Sequence, residues 1–390
     1  MSSAARIDAL LSKACELGDV PGVIAMAARS DGTILYQGAH GVRALGQTQP
    51  MTLDTVVWIA SMTKAVTGAA AMQLVEQGKL DLESPAGKWM PELAEVKVLE
   101  GFDAGGKPKL RAPKTPVTLR HLLTHTAGFG YDIWNAEIGR YQVVTGTPAI
   151  LTGKHAALGT PLLFDPGTRW NYGINIDYAG RLVEIASGQK LGAYMRQHLF
   201  DPLAMPDTGF KITPAMRARK AKVHARGENG ALTATEMEIL QDPEFEGGGG
   251  WLYSTMPDYL RFARAILNGG MLDGQRILKT ETIGQMSRNQ MGKLRVSPMH
   301  TVKPAQSLDA EFFPGVEKSW GLTFQINETK APTGRSAGSL SWAGLGNTYY
   351  WIDPVKGICG VFATQILPFA DSKALPLFYA FETAIYEGST

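Results

Sequence analysis

Cysteine is almost missing from this chain. Cys15 and Cys359, the two in 390 residues, lie near opposite ends, which excludes a disulfide framework or a clustered thiolate metal site by count and fits a reducing compartment. Charge of one sign is also lacking. Lys and Arg total 38 against 36 for Asp and Glu, a formal net charge of +2, so nothing draws a phosphate backbone or an anionic lipid surface. Nucleic acid is not an expected partner. No apolar run reaches the roughly 18 residues of a membrane span, and no membrane partner is expected. The start, Met1 to Asp8, has no basic region followed by an apolar one, and Asp8, Lys13 and Glu16 interrupt any candidate leader. The expectation is a soluble, cytoplasmic protein. A P-loop and a Gly-x-Gly-x-x-Gly after a strand are absent as well, so no nucleotide cofactor is implied, nor any other. His121 and His125 share a predicted helix without the Glu of His-Glu-x-x-His. A capped or packed pair outweighs a zinc site, and no metal is expected.

What the chain does have is an ordinary globular composition, 44% hydrophobic, enough for one large core or two modest ones. Residues 6–18 read as an opening helix. Gly22 to Arg29 and Thr33 to Gly41 read as a hairpin turned by Ser30-Asp31-Gly32. The apolar run Val56 to Ala60 leads into Ser61 and then an Ala-rich helical stretch to Glu76. From 80 to 245 the pattern is helices and Pro/Gly-rich loops, with helical periodicity at Leu119–Leu123, Ile176–Ala186 and Leu191–Leu199 and few strand signals. Strands return at Trp320–Ile326, Asn347–Ile352 and Gly357–Thr364, before a closing helix from Asp371 to Tyr386.

Short strands joined by turns rather than crossover helices imply an antiparallel sheet. The economical arrangement is an α+β fold. The hairpin and the late strands share one sheet packed by the first and last helices, forming a discontinuous α/β domain of residues 1–80 and 246–390. A mainly helical domain, 81–245, is inserted as a second lobe. Gly247 to Gly250 predicts a close backbone approach or a flexible turn.

Ser-x-x-Lys occurs twice, and about one copy is expected by chance at average residue usage in a chain of this size. Ser187-Gly188-Gln189-Lys190 follows a helix and places Gly188 at a C-cap, the mark of a solvated helix end. Ser61-Met62-Thr63-Lys64 sits where a strand-like run meets a helix, so the two side chains share a face. A serine hydroxyl needs a base, and a lysine serves when burial and nearby positive charge depress its pKa. The helix N-terminus adds partial positive charge for an oxyanion. From this motif alone, Ser61 as a helix cap beside an exposed Lys64 is an equal reading.

A resemblance separates them. Ile59-Ala60-Ser61-Met62-Thr63-Lys64 is similar to the first motif of serine β-lactamases, penicillin-binding proteins and family VIII carboxylesterases. Leu122 to Gly128, reading Leu-Leu-Thr-His-Thr-Ala-Gly, resembles a class C-type segment, and Phe164-Asp165-Pro166-Gly167 leads to Trp170-Asn171-Tyr172, where that family places its tyrosine. Gly249 to Thr255 and Asp258 to Phe262 resemble another recurrent stretch, so the likeness spans roughly residues 20–365. It implies a β-lactamase/penicillin-binding-protein-like fold with Ser61, Lys64 and Tyr172 as catalytic residues, Tyr172 working as acid and base with its pKa lowered by adjacent ammonium. Class C enzymes carry Tyr-x-Asn, but here Tyr172-Gly173-Ile174-Asn175 puts the asparagine one place later.

Trp342-Ala343-Gly344-Leu345 stands where β-lactamases carry Lys-Thr-Gly. By resemblance to family VIII esterases, Trp342 supplies an apolar wall and Gly344 lets the backbone approach the substrate, while the N–H groups of Ser61 and Leu345 form the oxyanion hole. Tyr131, Trp134 and Asn175 are further candidate substrate-binding residues. Gly334-Arg335-Ser336-Ala337-Gly338 matches the Gly-x-Ser-x-Gly elbow but lies in a polar turn, and no histidine follows His300 to complete a triad. The resulting expectation is a carboxylic ester hydrolase acting on small-molecule, short-chain acyl esters. A class C-like β-lactamase or D-amino acid peptidase, an acyltransferase of the same fold and an inactive binding protein stand as alternatives. Loops 100–115 and 285–315 are expected to line or cover the entrance.

Overall fold

The computed structural model describes residues 2–388, and their centre is a seven-stranded sheet built from both ends of the chain. Its strands are β1 (Gly22–Arg29), β2 (Ile34–Gly41), β3 (Lys318–Trp320), β4 (Gln325–Asn327), β5 (Leu340–Gly344), β6 (Thr348–Asp353) and β7 (Ile358–Ala363). They lie in the order β3-β4-β5-β6-β7-β1-β2, antiparallel throughout, with Ile24 opposite Ala363 and Trp342 opposite Tyr350. The expected union of the early hairpin with the late strands is therefore what forms. The helices that frame it and the site are α1 (Ser3–Glu16), α2 (Thr63–Glu76), α3 (Leu119–Leu123), α4 (Asn175–Ser187), α5 (Met256–Leu267) and α6 (Ala374–Glu387).

Helices cover the sheet on both faces. Tyr349 stacks on Phe378 of α6 with ring centroids 4.5 Å apart, while its neighbour Tyr350 meets Tyr259 of α5 at 5.4 Å. Successive residues of a strand point to opposite faces, so α6 and α5 lie on opposite sides. This is why β1 reads as an unbroken apolar run rather than an alternating one: all of it but Arg29 is buried, whereas the edge strand β2 is largely accessible. The first helix starts earlier than predicted because the Ser2 side chain caps it by accepting from Ala5 N–H, and it buries Ile7, Leu11 and Ala14 on one stripe.

Helix α2 is buried continuously from Thr63 to Leu74. Small residues make that possible: a Cβ on Gly68 would fall 2.4 Å from the Thr323 side chain. Helix α4 packs along α2, so the two carry their side chains toward one cleft.

Two sequence expectations change. Trp320–Ile326 is not one strand. Gly321 N–H bonds Phe324 O at 2.8 Å, Thr323 adopts φ +78°, and a Cβ on Gly321 would sit 2.0 Å from Met286 O, so the chain turns there between β3 and β4. The stretch from 80 to 245 holds two small hairpins, Val98–Phe102 with Pro108–Arg111, and His224–Arg226 with Leu232–Ala234, the latter extended in parallel by Ile366–Leu367. Strands this short and rich in Lys, Arg and Gly leave no period-2 pattern to read.

Candidate active site

Ser61 is placed by a chain segment held from three sides. Val57–Trp58 pairs with Tyr253–Ser254, Ile59 N–H bonds Leu252 O at 3.1 Å, and Gln365 clamps the Trp58 backbone, accepting its N–H at 2.9 Å and donating to its carbonyl at 3.0 Å. Ala60 then turns with φ +44°, a conformation costing on the order of 1 kcal/mol or more in a non-glycine residue. Ser61 enters the 3-10 turn Ala60–Met62 that runs into α2. Gly344 belongs to the same packing: a Cβ on it would lie 2.2 Å from Ile59 O. The glycine lets β5 press against the segment carrying Ser61, a packing reason for it beside the expected one of substrate approach.

Lys64 lies one turn further along and is 0% exposed, which removes the reading of a solvated lysine. Its Nζ lies within hydrogen-bond reach of Ser61 Oγ at 3.0 Å, donates to Tyr131 Oη at 3.1 Å and to the Gly249 carbonyl, and lies 4.7 Å from the centre of the Tyr172 ring. Burial pushes the Lys64 ammonium below the ordinary lysine range, opposed by the charge of Asp177.

Tyr172 is buried in an aromatic nest. Its ring lies 5.4 Å from Tyr131, 5.4 Å from Trp134, 5.0 Å from Trp342 and 4.8 Å from His125. Its hydroxyl accepts from Trp342 Nε1 at 3.0 Å and interacts with Ser61. Burial raises the phenol above its ordinary value despite these contacts. The direction is opposite to the expected lowering and favours the protonated phenol, a donor.

The candidate wall residues divide. Tyr131, Trp134 and Leu345 line a cavity of about 160 Å³ with Ser61, Trp58, Ile133, Ile150, Leu151 and Trp251. Trp342 is not among its lining residues but acts on Tyr172, and Asn175 is withdrawn altogether. Asn175 is fully buried at the start of α4 with Nδ2 2.9 Å from His125 Nδ1. His125 is itself buried at φ +56° and held well below its usual pKa by burial and by Lys64, while His121 caps α3 in a reciprocal bond with Thr118. The packed reading accounts for both histidines.

Sequence reasoning missed Asp177, Lys303 and Gln306, all of which line the cavity. Asp177 accepts from Gly249 N–H at 2.9 Å, and burial raises its carboxyl above the usual range. An acid in the first turn of a helix is ordinary, so only the apolar setting of Asn175-Ile176-Asp177-Tyr178 could have signalled it. The predicted close approach at Gly247–Gly250 is real: a Cβ on Gly249 would fall 2.4 Å from Asp177 Oδ2. Lys303 and Gln306 come from the 285–315 loop, which does reach the mouth. There Val302 N–H bonds Ile133 O at 2.9 Å, Trp134 Nε1 donates to Ser307 Oγ at 3.1 Å, and Lys303 pairs with Asp132. The 98–111 hairpin does not reach it; Leu110 lines a separate cavity with Glu92, Tyr141 and Arg181.

The other serine signatures fall away. Gly188 is a left-handed C-cap at φ +70°. Ser336 sits in the turn between β4 and β5, its N–H bonded to Asp353, beside Arg335 buried against Glu382.

Residues 7–384 match the beta-lactamase family. The ML-236A carboxylate methylbutanoyltransferase of Penicillium citrinum is 30% identical over 97% of this chain and 93% of its own length. The lovastatin esterase of Penicillium rubens is 32% identical over 97% of this chain and 98% of its own. Among solved structures, the unliganded simvastatin synthase of Aspergillus terreus superposes with a TM-score of 0.85 at 29% identity, covering 99% of this chain and 98% of that one. These relatives include acyl-transfer enzymes beside an esterase, so the likeness is to the wider family and not to family VIII carboxylesterases in particular.

Proposed function

The chain belongs to the beta-lactamase family, and from that premise we propose that it is a serine acyl-transfer enzyme that takes a short acyl group from an ester onto Ser61 and passes it to an alcohol or to water. The observation that carries this reading is the buried Lys64 Nζ, 3.0 Å from Ser61 Oγ, behind the serine that lines a small, mostly apolar cavity.

The chemistry follows from donors and acceptors. The Gly249 carbonyl can only accept, and Tyr131 Oη can accept, so a neutral Lys64 that donates to both points its lone pair at the Ser61 hydroxyl. Ser61 loses its proton to Lys64 as Oγ attacks the ester carbonyl. The oxyanion is held by the N–H groups of Ser61 and Leu345. Tyr172, its oxygen occupied by the Trp342 N–H, donates its own proton to the departing alkoxide and is reprotonated by Lys64. In the second half the acceptor hydroxyl enters by the same route in reverse. With Trp342 in place of a third-motif lysine, no cation waits there for the carboxylate of a β-lactam.

The esterase and the methylbutanoyltransferase among the relatives support one acyl-enzyme with two acceptors. The apolar wall of Trp58, Trp134, Ile150, Leu151 and Trp251 favours an apolar alcohol over water once it is seated. The test is turnover of aryl acetate, aryl butyrate and a chromogenic cephalosporin, with and without added alcohol, by the unmodified protein and Ser61→Ala. Ester turnover that vanishes in the variant, with transfer product rising with alcohol, is expected. Turnover that survives Ser61→Ala, or a dominant cephalosporin rate, sinks the reading.

A further inference from the structure

We propose that Asp177 is a positioning residue for Lys64: acting through the Gly249 backbone and by its charge, it steadies the amine and stabilises the ammonium formed when Lys64 takes the Ser61 proton. The inference rests on the reading of Ser61 and Lys64 given above.

The geometry is a relay through one residue. Asp177 Oδ1 accepts the Gly249 N–H at 2.9 Å, and the carbonyl of the same residue accepts from Lys64 Nζ. The two groups lie in consecutive peptide planes joined at the Gly249 Cα, so the carboxylate on the N–H side restrains the residue whose carbonyl holds the amine. The second oxygen, Asp177 Oδ2, is buried without a hydrogen-bond partner. A buried oxygen left unpaired costs stability, and its cost is offset where its charge faces a cation. The fit between Gly249 and Asp177 is so close that a side chain at position 249 would displace the carboxylate.

The titratable groups facing Lys64 are few. Asp177 comes from α4, Tyr131 and Tyr172 from the loops flanking the cleft, and His125 from the segment after α3. Burial keeps both phenols protonated and His125 neutral. Asp177 is the one acid among them whose ionised form the Lys64 ammonium favours, against the pull of burial, and removing it disfavours the ammonium. The sign follows: the Lys64 pKa falls, and the acid limb of the reaction moves to lower pH.

The experiment is the rate of fluorophosphonate labelling of Ser61 against pH, in the unmodified protein and in Asp177→Asn, which keeps the Gly249 contact and loses the charge. An acid limb displaced downward by about one pH unit, with a plateau about tenfold lower and KM for aryl butyrate unchanged, is expected. A limb that stays in place while the plateau falls would mean a purely structural role and overturns the proposal. Should Asp177→Asn fail to fold, Gly249→Ala displaces the carboxylate from the other side, and an unmoved limb there overturns it equally. Labelling that never reaches Ser61 in the unmodified protein overturns instead the reading of the nucleophile on which this one stands.

Discussion

The indole N–H of Trp342 donates to the hydroxyl of Tyr172 at 3.0 Å. An indole cannot accept, so the phenol oxygen is filled from that side and its proton is directed elsewhere. Trp342→Phe keeps the ring packing and deletes the donor. The expected result is a fall of about tenfold in kcat for aryl butyrate, with KM nearly unchanged because the cavity lining is untouched; steady-state kinetics decide it.

The pH profile should be one-sided. Lys64 must be neutral to accept a proton, and burial lowers its pKa, so kcat/KM rises on a limb below the ordinary lysine range. Burial holds Tyr172 above the ordinary tyrosine range, so no alkaline loss accompanies normal phenol ionisation. An alkaline limb at the free-tyrosine value would show that the phenol is not shielded as described.

Gly344→Ala places a methyl 2.2 Å from Ile59 O and 2.3 Å from Thr348 Oγ1. The segment carrying Ser61 must shift, and displacement of a nucleophile by about 1 Å can cost on the order of a hundredfold in rate. Activity should fall far more than secondary structure content, measured by labelling rate and circular dichroism in parallel.

Arg335 and Glu382 form an ion pair with side chains 3% and 0% exposed. Arg335→Met strands the carboxylate, and loss of about 3–5 kcal/mol in urea unfolding is expected. In the folded fraction kcat should be retained, because the pair belongs to the β4–β5 turn and α6 rather than to the cavity.

At the mouth, Lys303→Ala and Ser307→Ala remove the links to Asp132 and Trp134. Water then enters more freely, and the ratio of acid to transfer product in the presence of alcohol should rise by a few-fold. An unchanged ratio would mean that these links do not hold the entrance.

Much of the site was legible because its parts are local. Ser61 and Lys64 are one helical turn apart after an apolar run, so spacing puts them on one face, and the family resemblance chose the buried reading over the capped one. Tyr172 needed the family resemblance, since a tyrosine in a Pro/Gly-rich loop carries no signal of its own. Asp177 was invisible because acids are common in first turns, and what marks it is burial against a helix distant in sequence. Asn175 misled for the same reason: its type suggests a ligand contact, but His125 had already taken its amide. The sheet was readable where strands are long and covered on both sides, as in β1, and unreadable where a turn such as Gly321–Phe324 is dictated by the backbone it must pass.

The clamp of Gln365 on the Trp58 backbone has a temporal meaning as well as a spatial one. A ribosome that has finished Ser61, Lys64 and Tyr172 has yet to make Trp342, Gly344 and Gln365, which orient the tyrosine and seat the nucleophile's segment. The Trp58–Gln365 contact spans 307 residues, so the seat of Ser61 closes only once the last strands have been made and docked.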